Sequence, residues 1–165
     1  MRLLRRRQVP DEVRAVVLEP GDRRVAWALT DDQQPVVATE RGLVLPGRDR
    51  LDWADVERAV WQRPLLTVVE SAEVAGTGRT TSLQLRETGD DRLVDVVRAG
   101  VTTSVAWSTH IRLQPAGGVR VVGRRRPGRE TFDWQLVYDP GTDLDDPVVR
   151  AQAEQAALRA QRTVG

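Results

Sequence analysis

The chain has 165 residues, the length of a single ordinary domain. Its 25 basic and 24 acidic side chains leave a net charge of +1, so net charge alone does not indicate a polyanionic partner. The absence of cysteine excludes disulfides and thiolate chemistry, and a single histidine excludes most zinc sites. We therefore predict no cofactor and no bound metal.

The basic residues are all arginine, asparagine is absent and Ile111 is the sole isoleucine. Lysine, asparagine and isoleucine share AT-rich codons, so this composition indicates a GC-rich genome. The abundance of arginine is therefore weaker evidence for phosphate binding than it would be in a chain of average composition.

No segment of the sequence is typical of a membrane span or of a secretory signal. The longest apolar runs, such as Ala15–Leu18, cover about four residues, whereas crossing a bilayer takes about 20. Residues 1–10 form a basic N-terminal arm, and Met1–Arg7 is not followed by the apolar stretch of a signal peptide. We predict a cytoplasmic protein.

Short segments rich in Val, Leu, Thr and Trp, separated by Pro, Gly and Asp turns, predict an antiparallel β-meander. Residues 51–61 fit either one face of a helix or two short strands, and we prefer the strands. The five tryptophans fall in or beside these segments, which indicates core positions. The predicted strands are Arg24–Leu29, Val36–Leu45, Asp49–Trp53, Val56–Gln62, Leu65–Glu70, Thr81–Glu87, Trp107–Leu113, Val119–Arg126 and Thr131–Tyr138.

Two further segments predict helices. The first lies near residues 91–106 with Asp90 or Asp91 as its cap, and its apolar stripe is Leu93, Val96, Val97, Val101 and Val105. The second covers residues 146–163, because Asp146 before Pro147 is a favoured helix start. Its stripe is thin, so it either packs on the sheet or frays as a tail; the stripe residues are Val149, Ala153, Ala156, Ala157 and Ala160.

Four strings of residues occur in succession: EPGDRRVAWA at 19–28, VVATERGL at 36–43, RLDWADVERA at 50–59 and LTV at 66–68. Together they resemble the bacterial pleckstrin-homology-like proteins, in particular an uncharacterised group from high-GC bacteria. The resemblance covers roughly residues 19–87. It consists of turn and core residues, so it implies a fold and carries no chemistry.

The sequence pattern and this resemblance predict an α+β fold: a strongly bent antiparallel sheet or partly closed β-barrel with two helices, one of them C-terminal. We expect a single domain over residues 1–165 with a pleckstrin-homology-like core over 19–138. Lipid-binding members of the wider superfamily carry basic residues between their first two strands, whereas Thr30–Pro35 is acidic here. Like-charge repulsion therefore disfavours phosphoinositide binding at that loop.

Arginines are concentrated late in the chain, because residues 96–129 hold seven of them and no acidic residue. Guanidinium groups at a hairpin tip could reach anionic groups in a bidentate manner. The alternative is a solvated hairpin that is partly paired with the acidic residues after Asp139. The predicted contact residues are Arg124, Arg125, Arg126 and Arg129, supported by Arg120, with Trp134 as a possible stacking platform.

An enzyme would have to use Asp52, Asp55 and His110, but no motif supplies a nucleophile, a base and an orienting group. The spacing of Asp52, Asp55 and Glu57 more often belongs to a turn whose charge nearby arginines neutralise. We therefore predict a non-catalytic binding module whose partner is a protein. A nucleic-acid-associated protein that uses the same arginines is the alternative, and the sequence leaves the oligomeric state open.

Overall fold

The computed structural model describes residues 8–71, 78–86 and 92–164. Within these ranges ten strands form three antiparallel sheets, accompanied by three α-helices and one 3₁₀ turn. The elements are α1 (Asp11–Arg14), β1 (Arg24–Leu29), β2 (Pro35–Thr39), β3 (Gly42–Val44), β4 (Arg50–Asp52), the 3₁₀ turn (Trp53–Asp55), β5 (Val56–Gln62), β6 (Leu65–Glu70), β7 (Thr80–Gln84), α2 (Arg92–Ser104), β8 (Val105–Arg112), β9 (Gly118–Arg125), β10 (Phe132–Tyr138) and α3 (Pro147–Val164).

The α+β class and the C-terminal helix are confirmed, and two details of the prediction are corrected. The described strands lie in separate sheets, β1–β4, β5–β7 and β8–β10, and form no closed barrel. A third helix, the single turn α1, follows directly on the predicted N-terminal arm, of which only residues 8–10 are described. No helix in the described ranges is long and apolar enough to span a membrane.

The first sheet contains a turn inside a segment predicted as one strand, 36–45. The Thr39 hydroxyl accepts hydrogen bonds from the amides of Arg41 and Gly42, so the chain reverses there and gives β2 and β3. Gly42 then lies so close to β4 that a β-carbon would be 2.2 Å from the Leu51 carbonyl oxygen. A larger residue at this position would push the two strands apart.

The ambiguity over residues 51–61 is settled where the chain passes from the first sheet to the second. A short strand, the 3₁₀ turn and β5 follow one another, as the preferred interpretation predicted. The last strand of the second sheet ends earlier than predicted, at Gln84, because Leu85 instead forms a bridge with Thr30 at the end of β1. Glu87 lies outside the described residues.

Helix α2 closes the space between the first two sheets. It ends at Ser104, so Val105, predicted as part of its apolar stripe, begins β8 and is 36% exposed. The predicted caps Asp90 and Asp91 lie outside the described residues. Of the five tryptophans only Trp53 is fully buried, against Gly100 of α2, where a β-carbon would be 2.4 Å from the indole. The core of this part is Ala26, Ala28, Val36, Ala38, Leu43, Leu45, Trp53, Val56, Leu66, Val68, Leu85, Leu93 and Val97.

The third sheet is covered on one face by α3. The helix begins as predicted, because the Asp146 carboxylate accepts a hydrogen bond from the Val148 amide at 2.8 Å. Its small residues allow a close approach to β9 and β10, so the helix packs on the sheet and is not a frayed tail. The buried residues of α3 are Val149, Ala153, Ala156 and Ala160.

We call the described residues of 24–104 the N-terminal unit and those of 105–164 the C-terminal unit.

Candidate functional site: the arginine hairpin and the inter-unit cleft

The predicted arginine hairpin is formed by β9 and β10, whose strands pair from Tyr138–Val119 to Phe132–Arg125. Alternation along β9 places Val119 and Val121 on the face covered by α3. Arg120, Val122 and Arg124 therefore share the opposite face. That second face is turned partly towards the N-terminal unit and is partly open.

Arg124 is buried, with 3% of its surface exposed, and its guanidinium group connects three elements. It donates hydrogen bonds to the Glu57 carbonyl oxygen of β5 at 3.0 Å, to the Ser104 hydroxyl of α2 at 2.6 Å and to the Gln135 side chain of β10 at 2.8 Å. Burial lowers the pKa of Arg124, while the nearby carboxylates of Glu57 and Asp55 oppose that shift. Because these donors are satisfied internally, we do not retain Arg124 as an anion contact.

Arg126, one residue beyond β9, likewise makes its hydrogen bonds to other residues of the chain. Its guanidinium group lies 2.7 Å from carboxylate oxygens of both Asp52 and Asp133 and forms a two-pronged pair with Asp55. The hydrogen bonds that this group donates to Asp55 raise its pKa. Asp52 and Asp55 belong to β4 and the 3₁₀ turn, so Arg126 connects the two units. We call these four residues the Arg126 junction.

The arginine run at 124–126 and the acidic pair Asp52 and Asp55, both noted in the sequence, therefore contact each other through Arg126. The predicted neutralisation of Asp52 by Arg50 is confirmed by a contact of 2.9 Å, whereas the Arg58 side chain forms no ion pair within the described ranges. Gln135 adds a further connection, because its amide donates to the Ala54 carbonyl oxygen at 2.8 Å. These contacts, made by residues at and near the turn end of the hairpin, stabilise the arrangement of the two units.

Of the remaining predicted contact residues at the hairpin, Arg129 and Trp134 line a cleft of about 940 Å³ together with Arg126, whereas Arg125 is not among its lining residues. Arg125 is exposed, and its side chain has no hydrogen bond or ion pair within the described ranges. Arg129 is exposed and lies 3.6 Å from Asp133. Trp134 is half-buried with its ring edge-on to Trp107, at a centroid distance of 5.6 Å. An open stacking platform among free arginines is therefore absent from the described part of the hairpin.

A cleft of about 550 Å³ lies beside Arg124, between the open face of the third sheet and the N-terminal unit. Its apolar surface comes from Val101 of α2, Val105 of β8, Val122 of β9 and Val137 of β10. We call it the inter-unit cleft. Its volume is within the range of sites that bind small molecules or side chains of a partner. The polar lining residues are Glu57, Arg58, Thr102, Ser108, Arg120 and Arg124.

Two arginines in the cleft lining are available to a ligand. Arg58 and Arg120 are exposed, and their side chains have no hydrogen bond or ion pair among the residues that the structure describes. With Arg124 they give the lining three positive charges against the single negative charge of Glu57. An anionic group above an apolar floor therefore fits this surface best.

The residues of the enzyme alternative are not brought together. His110 pairs with Asp139 at 2.8 Å and lies opposite Arg120 on β9, six residues before Arg126. Six residues of strand span about 20 Å, so the imidazole is far from Asp52 and Asp55. Carboxylates in the junction are already paired with Arg126, and the described residues hold no cluster suited to a metal ion.

Of the predicted contact residues, only Arg120 belongs to the cleft with its side chain free. Sequence reasoning did not single out Arg58, because in the sequence it lies next to Glu57 and close to Asp55, where mutual neutralisation is the simpler interpretation. Alternation in β9 was the available signal, since it puts Arg120 and Val122 on one face. No protein-family model, curated protein or solved structure matches this chain.

Proposed function

We propose that the chain is a non-catalytic interaction module that binds an acidic segment of a partner protein in the inter-unit cleft. The observation that carries the proposal is a pair of arginines, Arg58 and Arg120, that have no partner among the described residues and lie beside an apolar floor that includes Val122 and Val137. A carboxylate of the ligand would contact the arginines, and an aliphatic side chain next to it would cover the valines. Such a module would act in the cytoplasm.

The fold part of the proposal is that the N-terminal unit is pleckstrin-homology-like. Its support is the order of elements: a four-stranded and a three-stranded antiparallel sheet followed by one helix that packs against strands of both. In this interpretation α2 is the closing helix, and β8–β10 with α3 are an addition to that unit. The acidic turn Asp31-Asp32 between β1 and β2 continues to disfavour a phosphoinositide there.

A peptide-binding measurement tests the function. A fluorescent peptide that alternates glutamate and leucine is titrated with the protein, and the change in polarisation gives its Kd. We expect Arg120→Glu and Arg58→Glu each to weaken binding by about tenfold or more, because reversal of a contact charge replaces attraction by repulsion. Arg159→Glu, an exposed α3 position, changes the net charge equally and should leave the Kd unchanged.

Three results would contradict the proposal. The first is a peptide of alternating lysine and leucine that binds as tightly as the acidic one, and the second is an Arg159→Glu variant that weakens binding as much as Arg120→Glu does. The third is tight binding of single-stranded DNA that falls steeply between about 50 and 200 mM salt and is lost in Arg125→Glu. That last outcome would favour the nucleic-acid alternative, with the hairpin tip as its contact.

A further inference from the structure

Strand β8 has one edge that no strand of the described ranges covers. It is the outer strand of the third sheet and pairs with β9 alone, from Val105–Arg124 to Arg112–Gly118. Among the described residues, its other edge makes no backbone hydrogen bond. Such an edge presents a row of unpaired N–H and C=O groups that can accept another strand.

The other sheet edges are shorter or partly occupied. Strand β4 has three residues, and the ends of β1 and β7 meet each other at the Thr30–Leu85 bridge. The start of β5 is engaged by Arg124 through the Glu57 carbonyl. Strand β10 contacts the N-terminal unit through Gln135, whose amide donates to the Ala54 carbonyl oxygen. With eight residues, β8 is the longest uncovered edge in the described ranges.

The sequence of β8 is complementary to itself in one antiparallel register. With Thr109 opposite Thr109 of a second copy, Ser108 faces His110, Trp107 faces Ile111, and Ala106 faces Arg112. Opposite residues share a face, so the aromatic and β-branched side chains meet, and each His or Arg faces a small neutral residue. No like charges lie directly opposite each other in this register.

We infer that β8 is a self-association edge, through which two copies of the chain pair antiparallel about Thr109. The pairing would join the two three-stranded sheets into one continuous sheet of six strands, with a two-fold axis perpendicular to it. The half-exposed Trp107 and Ile111 would each gain an apolar neighbour from the other copy. Because strand addition alone buries less than a standard interface, the dimer is weak and depends on concentration.

Sedimentation equilibrium on the full chain, over concentrations up to about 1 mM, measures the association directly. We expect the wild type and Thr109→Val to dimerise with similar Kd values. Thr109→Lys and Thr109→Glu should each remain monomeric, with association weakened by at least about tenfold, because equal charges would face each other at the axis. An equimolar mixture of these two variants should dimerise again, because opposite charges would then meet.

Two outcomes would overturn the inference: a wild type that stays monomeric up to about 1 mM, or lysine and glutamate variants that associate as strongly as the wild type. Circular dichroism and tryptophan emission establish that each variant is folded, and recovery in the mixture cannot come from an unfolded protein. The readout is independent of the peptide titration, so failure of one proposal is distinguishable from failure of the other.

Discussion

Replacing Arg126 with methionine removes the cation that connects Asp52, Asp55 and Asp133. The guanidinium group is 19% exposed and makes four charge-assisted hydrogen bonds to these carboxylates. Loss of one member of a buried ionic group typically costs about 3–5 kcal/mol. Because the junction is partly open to water, the carboxylates can be rehydrated in part, and we expect the free energy of unfolding to fall by about 2–4 kcal/mol.

Urea denaturation followed by tryptophan emission measures this loss, since the N-terminal unit and the C-terminal unit both contain tryptophans. Arg125→Met is the matched control, because it removes the same charge from the neighbouring residue, whose side chain is exposed and unpaired in the described structure. Its effect should stay within about 0.5 kcal/mol. Equal stability of the two variants would refute the assignment of Arg126 as a connector between the units.

Three further substitutions test other contacts. Arg124→Met leaves the partly buried Glu57 carbonyl and Gln135 amide oxygens without their donor, and differential scanning fluorimetry should detect a destabilisation of about 2–3 kcal/mol. Gly42→Ala forces a β-carbon against the Leu51 carbonyl and should cost about 1–3 kcal/mol in thermal melts, whereas an unchanged midpoint would show that β3 and β4 can separate freely. The hydrogen bond from Arg48 lowers the pKa of Glu70 below its ordinary value of 4.5, so its contribution to stability is complete above that value and is lost as the pH falls through the folded pKa. Glu70→Gln should therefore flatten the acid side of the stability–pH curve, and a curve identical to that of the wild type would contradict this reasoning.

Local sequence patterns were sufficient to predict most of the strands and both long helices. Alternation predicted Arg24–Leu29 and Leu65–Glu70 with the bounds that the structure gives, because side chains on a strand point to its two faces in turn. The same logic missed the turn after Thr39, since the signal there is a hydroxyl that binds two backbone amides. The apolar spacing also led us to include Val105 in the α2 stripe, although this residue begins β8. A β-branched residue at helical spacing is equally compatible with a strand, so the sequence alone did not distinguish the two.

The roles of the arginines could not be read from local sequence. Arg126 is separated from Asp52 by 74 residues and from Asp55 by 71, so two of its three carboxylate partners come near it only when the chain folds. Arg58 is the opposite case, because acidic residues surround it in sequence while its side chain forms no pair in the described structure. Pairing across sheets determines which cations remain free, and that depends on tertiary structure.

The location of binding is the most direct test of the account. In a ¹H–¹⁵N correlation spectrum, the peptide of glutamate and leucine should shift the amides of residues that line the inter-unit cleft, namely Arg58, Val101, Ser108, Arg120, Val122 and Val137. The amides of Arg125 and Arg129 at the hairpin tip should move little, because those residues lie outside the cleft lining. Largest shifts at the hairpin tip, with the cleft unchanged, would contradict the account and return the binding surface to the exposed arginines.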